Sequence, residues 1–266
     1  MAPPQRKTTR LDTAVAEKSG VTRSHARSMI IAGRVRVNGR PLTKPGTAIG
    51  VDAELEIERP RPFVSRGGEK LEAALEAFSL NVSGVRALDV GASTGGFTDC
   101  LLQRGAAHVF AVDVGYGQLA LALRNDPRVT VLERTNFRTL SDDAFAERFD
   151  LIVADVSFIS LRTILRRARG YLSEGGTIVA LLKPQFEAGR ARLGGGGVVR
   201  DPQTHRDIWR EFLAGMSELG LGVRDAITSP LRGPAGNVEF LVRLQRAEHR
   251  IGEADVERMI EEAHRE

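Results

Sequence analysis

The chain has one cysteine among its 266 residues. Cys100 alone cannot close an intramolecular disulfide or build a cysteine-based zinc site. The five histidines are scattered, with no pair at metal-ligand spacing, so no metal is expected. No apolar run approaches the ~18 residues that span a bilayer, so no membrane association is expected. No apolar stretch follows the opening Met-Ala-Pro-Pro-Gln-Arg-Lys, so a secretory leader is not expected and a cytoplasmic location is. Acids are nearly missing from one part of the chain. Residues 1–45 hold ten Lys/Arg and only Asp12 and Glu17, a balance of 10 − 2 = +8, whereas the remainder is 28 − 32 = −4. A basic head on a mildly acidic body points to a polyanionic partner, and a merely solvated basic surface is the plainer alternative.

What is present is enough for a large domain and a small one. In the head, Leu11, Ala14 and Val15 recur at helical spacing. Ser24 is placed to cap a second helix over 25–32, and Gly33 to end it. Arg34 to Arg40 alternates basic and apolar, which predicts a strand with Val35 and Val37 inward, Arg34 and Arg36 outward, and an Asn38-Gly39 turn. Residues 53–57 read as a closing strand. The run Ser24-His-Ala-Arg-Ser-Met-Ile-Ile-Ala-Gly-Arg-Val-Arg-Val-Asn-Gly39 resembles the S4-like RNA-binding domain, which implies a small α+β module that binds structured RNA. The cations assigned to RNA are Arg6, Lys7, Arg10, Arg23, Arg27, Arg34, Arg36 and Arg40, with Arg66 beyond the head. Two prolines in Glu58-Arg-Pro-Arg-Pro62 mark a boundary: a head over 1–59, a linker over 60–64 and a large domain over 65–266.

In the large domain, strands are predicted at 85–90, 108–112, 129–132, 149–154, 177–182, 221–228 and 238–244. Helices are predicted up to Phe78 and at 97–104, 117–125, 160–172 and 204–219. Such alternation implies an α/β fold with a parallel sheet, and the short last connection an antiparallel final pair. This layout resembles that of the Rossmann-like methyltransferases, and the resemblance implies their seven-stranded sheet order. Ligands in such sheets sit beyond the carboxyl ends of the strands, where Gly91 to Gly96, Asp113, Asp155 and Lys183 fall.

The turn Gly91-Ala92-Ser93-Thr94-Gly95-Gly96 follows the first strand of this sheet. Three chemistries compete for it. A dinucleotide oxidoreductase wants a second glycine at position 93, which is absent. A serine hydrolase would use Ser93 as nucleophile, with Asp201 and His205 downstream, but its elbow normally comes after several strands. An S-adenosylmethionine site fits best, since that ligand has no phosphates and needs only backbone closeness. Asp89 would meet the methionine ammonium, directly or through water. Asp113, with Val114 beside it, would hold the ribose hydroxyls. Asn136 would lie near the adenine or simply cap its loop.

Six motifs in order carry a closer resemblance: Phe63-Val-Ser-Arg-Gly-Gly-Glu-Lys70, Leu88-Asp-Val-Gly-Ala-Ser-Thr-Gly-Gly-Phe-Thr98, Ala111-Val-Asp-Val-Gly-Tyr-Gly-Gln-Leu119, Ala154-Asp-Val-Ser-Phe-Ile-Ser160, Leu182-Lys-Pro-Gln-Phe-Glu187 and Gly236-Asn-Val-Glu239. Together they resemble the TlyA family, itself similar to FtsJ-type ribose methyltransferases. The resemblance implies methylation of cytidine ribose 2′-hydroxyls in ribosomal RNA from S-adenosylmethionine, with ribosomal subunits as partners. It also implies a catalytic set of Lys70, Asp155, Lys183 and Glu239. In that set Lys183 would activate the hydroxyl and Asp155 orient it, while Lys70 and Glu239 hold the ribose and each other. The loop 185–199, with Arg190, Arg192 and four consecutive glycines, either closes over RNA or is a plain connector. The rival readings are an RNA-binding assembly factor with a vestigial enzyme fold, which would predict a damaged catalytic set, and a haemolysin, which would need a spanning segment or a long amphipathic basic helix.

Overall fold

The computed structural model describes residues 7–58, 62–189 and 192–265. Arg6, Arg190 and part of the expected linker lie outside the described residues. Backbone contacts divide the chain into two compact units, Met1–Arg61 and Pro62–Glu266.

In the first unit, β1 (Thr8–Arg10) leads into α1 (Leu11–Ser19) and α2 (Arg23–Ile31), followed by β2 (Val35–Val37), β3 (Arg40–Pro41), β4 (Ala48–Gly50) and β5 (Leu55–Ile57). β3-β2-β5 form an antiparallel sheet, and β1 pairs with β4, a pairing that periodicity did not announce. Asn38 and Gly39 both have positive φ, as the two-residue turn demands. Val35 and Val37 are buried with Leu11, Val15, Ala26 and Ile30, and Arg34 and Arg36 face out. Thr22, not Ser24, caps α2: its hydroxyl accepts from His25 N, so the helix starts two residues earlier than expected.

The second unit contains α3 (Arg66–Ala77), β6 (Arg86–Val90), α4 (Gly96–Gln103), β7 (His108–Val112), α5 (Leu121–Arg124), β8 (Val129–Leu132), β9 (Phe149–Ala154), α6 (Leu161–Tyr171), β10 (Leu172–Leu182), α7 (Pro184–Glu187), α8 (Pro202–Glu218), β11 (Gly222–Thr228), β12 (Phe240–Gln245) and α9 (Glu253–Arg265). The sheet order is β11-β12-β10-β9-β6-β7-β8, with β12 antiparallel to both neighbours and the rest parallel.

Two elements differ from expectation. The helix expected over 117–125 is only α5, because Gly117 is left-handed and Ala120 N is drawn to Thr94 O at 3.2 Å. β10 starts at Leu172 rather than 177, its pairing with β9 shifting register between Leu172 and Thr177 around the left-handed Gly175. The C-terminal helix α9 packs, with Val256, Met259, Ile260 and Ala263 in the core.

Strand side chains alternate between two cores. Leu88, Ile152, Ala154, Ile178, Ala180 and Phe240 face α6, α8 and α9. Ala87, Leu151, Val153, Val179, Leu181 and Leu241 face α3 and α4. That alternation sets where the polar strand ends point.

Candidate active site

Asp155 and Lys183 each follow a strand and Glu239 immediately precedes the antiparallel β12, all at odd positions that continue the side facing α3 and α4. β9, β10 and β12 are neighbours, so the three polar groups meet at one edge, and Lys70 on α3 reaches the same place. The result is two ion pairs. Lys183 Nζ lies 2.6 Å from Asp155 Oδ1 and donates to Ser157 Oγ at 3.0 Å. Lys70 Nζ donates to Glu239 Oε2 at 2.6 Å, with Glu239 1% exposed. Buried pairs of this kind contribute little net stability, because desolvation offsets their attraction. Chemistry is the better reason for four charges in a core.

The glycine turn makes the floor beside them. Gly91 has φ 86, and a Cβ there would sit 2.6 Å from Asp155 O, so β6 and β9 approach at a distance only glycine allows. Gly96 starts α4 against the start of α3: its Cβ would lie 2.8 Å from Gly68 N. Gly91, Ser93, Asp113, Val114 and Asn136 line a cleft of about 530 Å³. A recess of about 190 Å³ shares its walls at Gly91, Ser93, Asp155 and Ser157 and adds Ala92, Thr94, Gly96 and Lys183. The cleft therefore opens beside the Lys183–Asp155 pair.

Asp113 accepts from Ser93 N at 2.8 Å and from Gly115 N at 2.7 Å, which fixes its carboxylate in the cleft wall. Asn136 Oδ1 accepts from Arg138 N, so Asn136 both caps its loop and lines the cleft. Gly95 lines neither space; it is left-handed and packs under Leu119 and Leu123. Asp89 lies beneath the turn, fully buried, with Oδ2 accepting from Thr98 Oγ1 at 2.7 Å and Oδ1 lacking a partner among the described residues. Burial, reinforced by Asp155 and Asp113, pushes its carboxyl up to about 7, against the opposing Thr98 bond.

The hydrolase alternative loses its partners. Asp201 caps α8, accepting from Gln203 N and Thr204 N, and buried His205 pairs with His264 at 3.0 Å. The described stretch 192–199 after α7 is tied down. Buried Asn237 donates to Gly197 O and accepts from Val199 N, and Arg192 pairs with Glu211. In the first unit, Lys7, Arg10, Arg23, Arg27, Arg34, Arg36 and Arg40 are exposed, as is Arg66 in the second. Arg10 and Arg23 also bind buried Asp12, and the Arg10 bonds chiefly hold that carboxyl well below its ordinary range.

Sequence reasoning missed Ser157, Gln185 and Phe158. Phe158 is 92% exposed, left-handed at φ 63, and lines the cleft with its ring 5.1 Å from Phe186. A bulky residue in that conformation, held out in solvent, is a strained feature. Its aromatic type is visible in the sequence, but its exposure is not.

Residues 63–246 match the family of FtsJ-like methyltransferases, and residues 9–55 match the S4 domain. The chain belongs to the FtsJ-like methyltransferase family. Among its relatives, the 16S/23S rRNA (cytidine-2′-O)-methyltransferase TlyA of Mycobacterium tuberculosis is 52% identical over 84% of each chain. Hemolysin A of Brachyspira hyodysenteriae is 40% identical over 87% of this chain and 98% of its own. A solved Streptococcus thermophilus protein, named a candidate hemolysin, matches with TM-score 0.75 at 38% identity, covering 98% of this chain and 97% of its own. No helix among the described residues is long and apolar enough to cross a membrane. The described residues also contain no cluster of three or more His, Cys, Asp or Glu able to hold a metal ion.

Proposed function

We propose that the chain transfers a methyl group from S-adenosylmethionine to the ribose 2′-hydroxyl of a cytidine in ribosomal RNA, in the cytoplasm. The observation that carries this is the adjacency of a nucleoside-sized cleft, with Asp113 fixed in its wall, to a recess holding the Lys183–Asp155 pair. The identity with the M. tuberculosis methyltransferase supports the choice of acceptor.

The residues present suit the donor. Asp113 offers a carboxylate to ribose hydroxyls, the turn at Gly91 allows close backbone approach, and Asn136 also lines the cleft. Asp89 Oδ1, buried and without a donor, is the group an ammonium would satisfy. Bound there, S-adenosylmethionine supplies an electrophilic methyl on a sulfonium.

The acceptor side rests on the chain's own groups. Lys183 Nζ donates to Ser157 Oγ and lies 2.6 Å from Asp155 Oδ1 as an ion pair, so a hydrogen of the ammonium, or the lone pair of the neutral amine, remains for the hydroxyl. It takes the hydroxyl proton directly, or by passing one of its own to Asp155 across 2.6 Å. Lys70 and Glu239 hold the ribose in line. Phe158 offers its ring to an unstacked base, as single-stranded RNA bases require. The exposed arginines of the first unit supply phosphate contacts.

The direct check uses methyl-labelled donor, ribosomal RNA and hydrolysis to nucleosides. Label is expected in 2′-O-methylcytidine. Label on a base, or none, would overturn the reading.

A further inference from the structure

Glu239 is held more tightly than its ion pair with Lys70 requires. Its Oε2 accepts from Lys70 Nζ at 2.6 Å, and its Oε1 accepts from Gln185 Nε2 at 3.1 Å. Chemistry fixes the amide's orientation, since an ionised carboxylate only accepts and the NH₂ must face it. Gln185 Oε1 is then left buried with no partner among the described residues. A buried acceptor without a donor costs stability, and such costs persist where geometry matters more. Gly233 closes the seat from another side. A Cβ at that position would lie 2.6 Å from Glu239 Oε1 and 3.6 Å from Gln185 Nε2. Glu239 Oε1 cannot swing aside, because both oxygens of this buried carboxylate are engaged. The turn is itself fixed, with Gly233 N donating to Asn237 O at 2.9 Å. Gln185 lies two residues after Lys183, so one short peptide touches both ion pairs.

We propose that Gln185 is a positioning residue for methyl transfer: it fixes the Glu239 carboxylate on its Gly233 seat, and through it Lys70, in register with Lys183. This rests on the function proposed above. If the seat sets geometry, loosening it misplaces the ribose and slows the chemical step without weakening binding.

The test compares Gln185→Ala and Gln185→Glu in the full chain by steady-state methyl transfer to ribosomal RNA, thermal melting and S-adenosylmethionine titration. Gln185→Ala is expected to lower kcat on the order of 10²-fold, with KM for donor and RNA, and Tm, near wild type. Gln185→Glu sets a second carboxylate against Glu239. When the new side chain takes up a proton it donates again, so its kcat recovers relative to Gln185→Ala as pH is lowered. Wild-type kcat in Gln185→Ala overturns the proposal, as does a Gln185→Glu defect indifferent to pH. Joint loss of donor binding, Tm and kcat in both variants also overturns it, since that marks a purely structural role. Absence of transfer by the unsubstituted chain sinks the function itself and this inference with it. Transfer by the unsubstituted chain and by Gln185→Ala alike sinks only the positioning role.

Discussion

From residue 62 onward the chain has two lysines, Lys70 and Lys183, and every other Lys/Arg position is arginine. Both lysines lie in the site. Arginine is always charged and presents a planar fork, whereas lysine can give up its proton. Lys183→Arg should therefore fail about as fully as Lys183→Ala, a loss of roughly 10²–10⁴-fold in kcat, with donor binding retained in calorimetry. Lys70→Ala leaves Glu239 buried without its cation and should cost about 3–5 kcal/mol in chemical denaturation. The double variant Lys70→Met/Glu239→Leu should recover that stability without recovering activity, and recovery of both would remove the pair from the mechanism. Asp89 gives a pH signature. Its folded value of about 7 lies above the ordinary 3.8, so the ligand-free protein binds the extra proton and loses stability as pH rises from about 4 to about 7. An ammonium favours the ionised form, so donor affinity should fall as pH drops below about 7. Asp89→Asn should flatten both profiles, read by melting and by titration, and an unchanged pH dependence in that variant would count against Asp89.

At the scale of elements, the strand ends carry the argument. Alternation along β6, β7, β9, β10 and β12 puts odd-numbered residues on the side of α3 and α4. Asp113, Asp155, Lys183 and Glu239 are all odd, so the side they share was legible from period two once the strands were placed. The seven strands were legible too, because apolar runs bounded by turns are strong signals. The short α5 was not, since Gly117 and the Ala120–Thr94 bond act through tertiary contact. Nor was the seat of Glu239, which depends on Gln185 and Gly233 from two other segments. The β6–α4 turn offers the cleanest disruption. Gly91→Ala combines a left-handed φ with a Cβ 2.6 Å from Asp155 O, and should cost at least about 1–3 kcal/mol and weaken donor binding. Stability and affinity at wild-type level would contradict the close approach. In the loop after β9, Phe158→Ala removes an exposed ring and should leave Tm unchanged while weakening RNA binding by about 1–3 kcal/mol.

At the scale of the molecule, two units divide the labour: a small basic one and a larger one of 26 − 28 = −2 over residues 62–266. The +8 balance of residues 1–45 was visible as a count, but the engagement of Arg10 and Arg23 with Asp12 was not, because a buried acid leaves no trace in a charge tally. Arg34 and Arg36 sit outward on β2 beside buried valines. Reversing both to Glu should weaken RNA binding uniformly across sequences and reduce the slope of log K against log salt by about 1 per lost contact. Donor binding should be untouched. The most direct measurement of the whole account is a map of ribose methylation across ribosomal RNA from cells with and without this protein, complemented by the wild-type chain and by Lys183→Ala. A 2′-O-methylcytidine should disappear without the protein, return with the wild-type chain and stay absent with Lys183→Ala. An unchanged map, or one restored equally by Lys183→Ala, would contradict it.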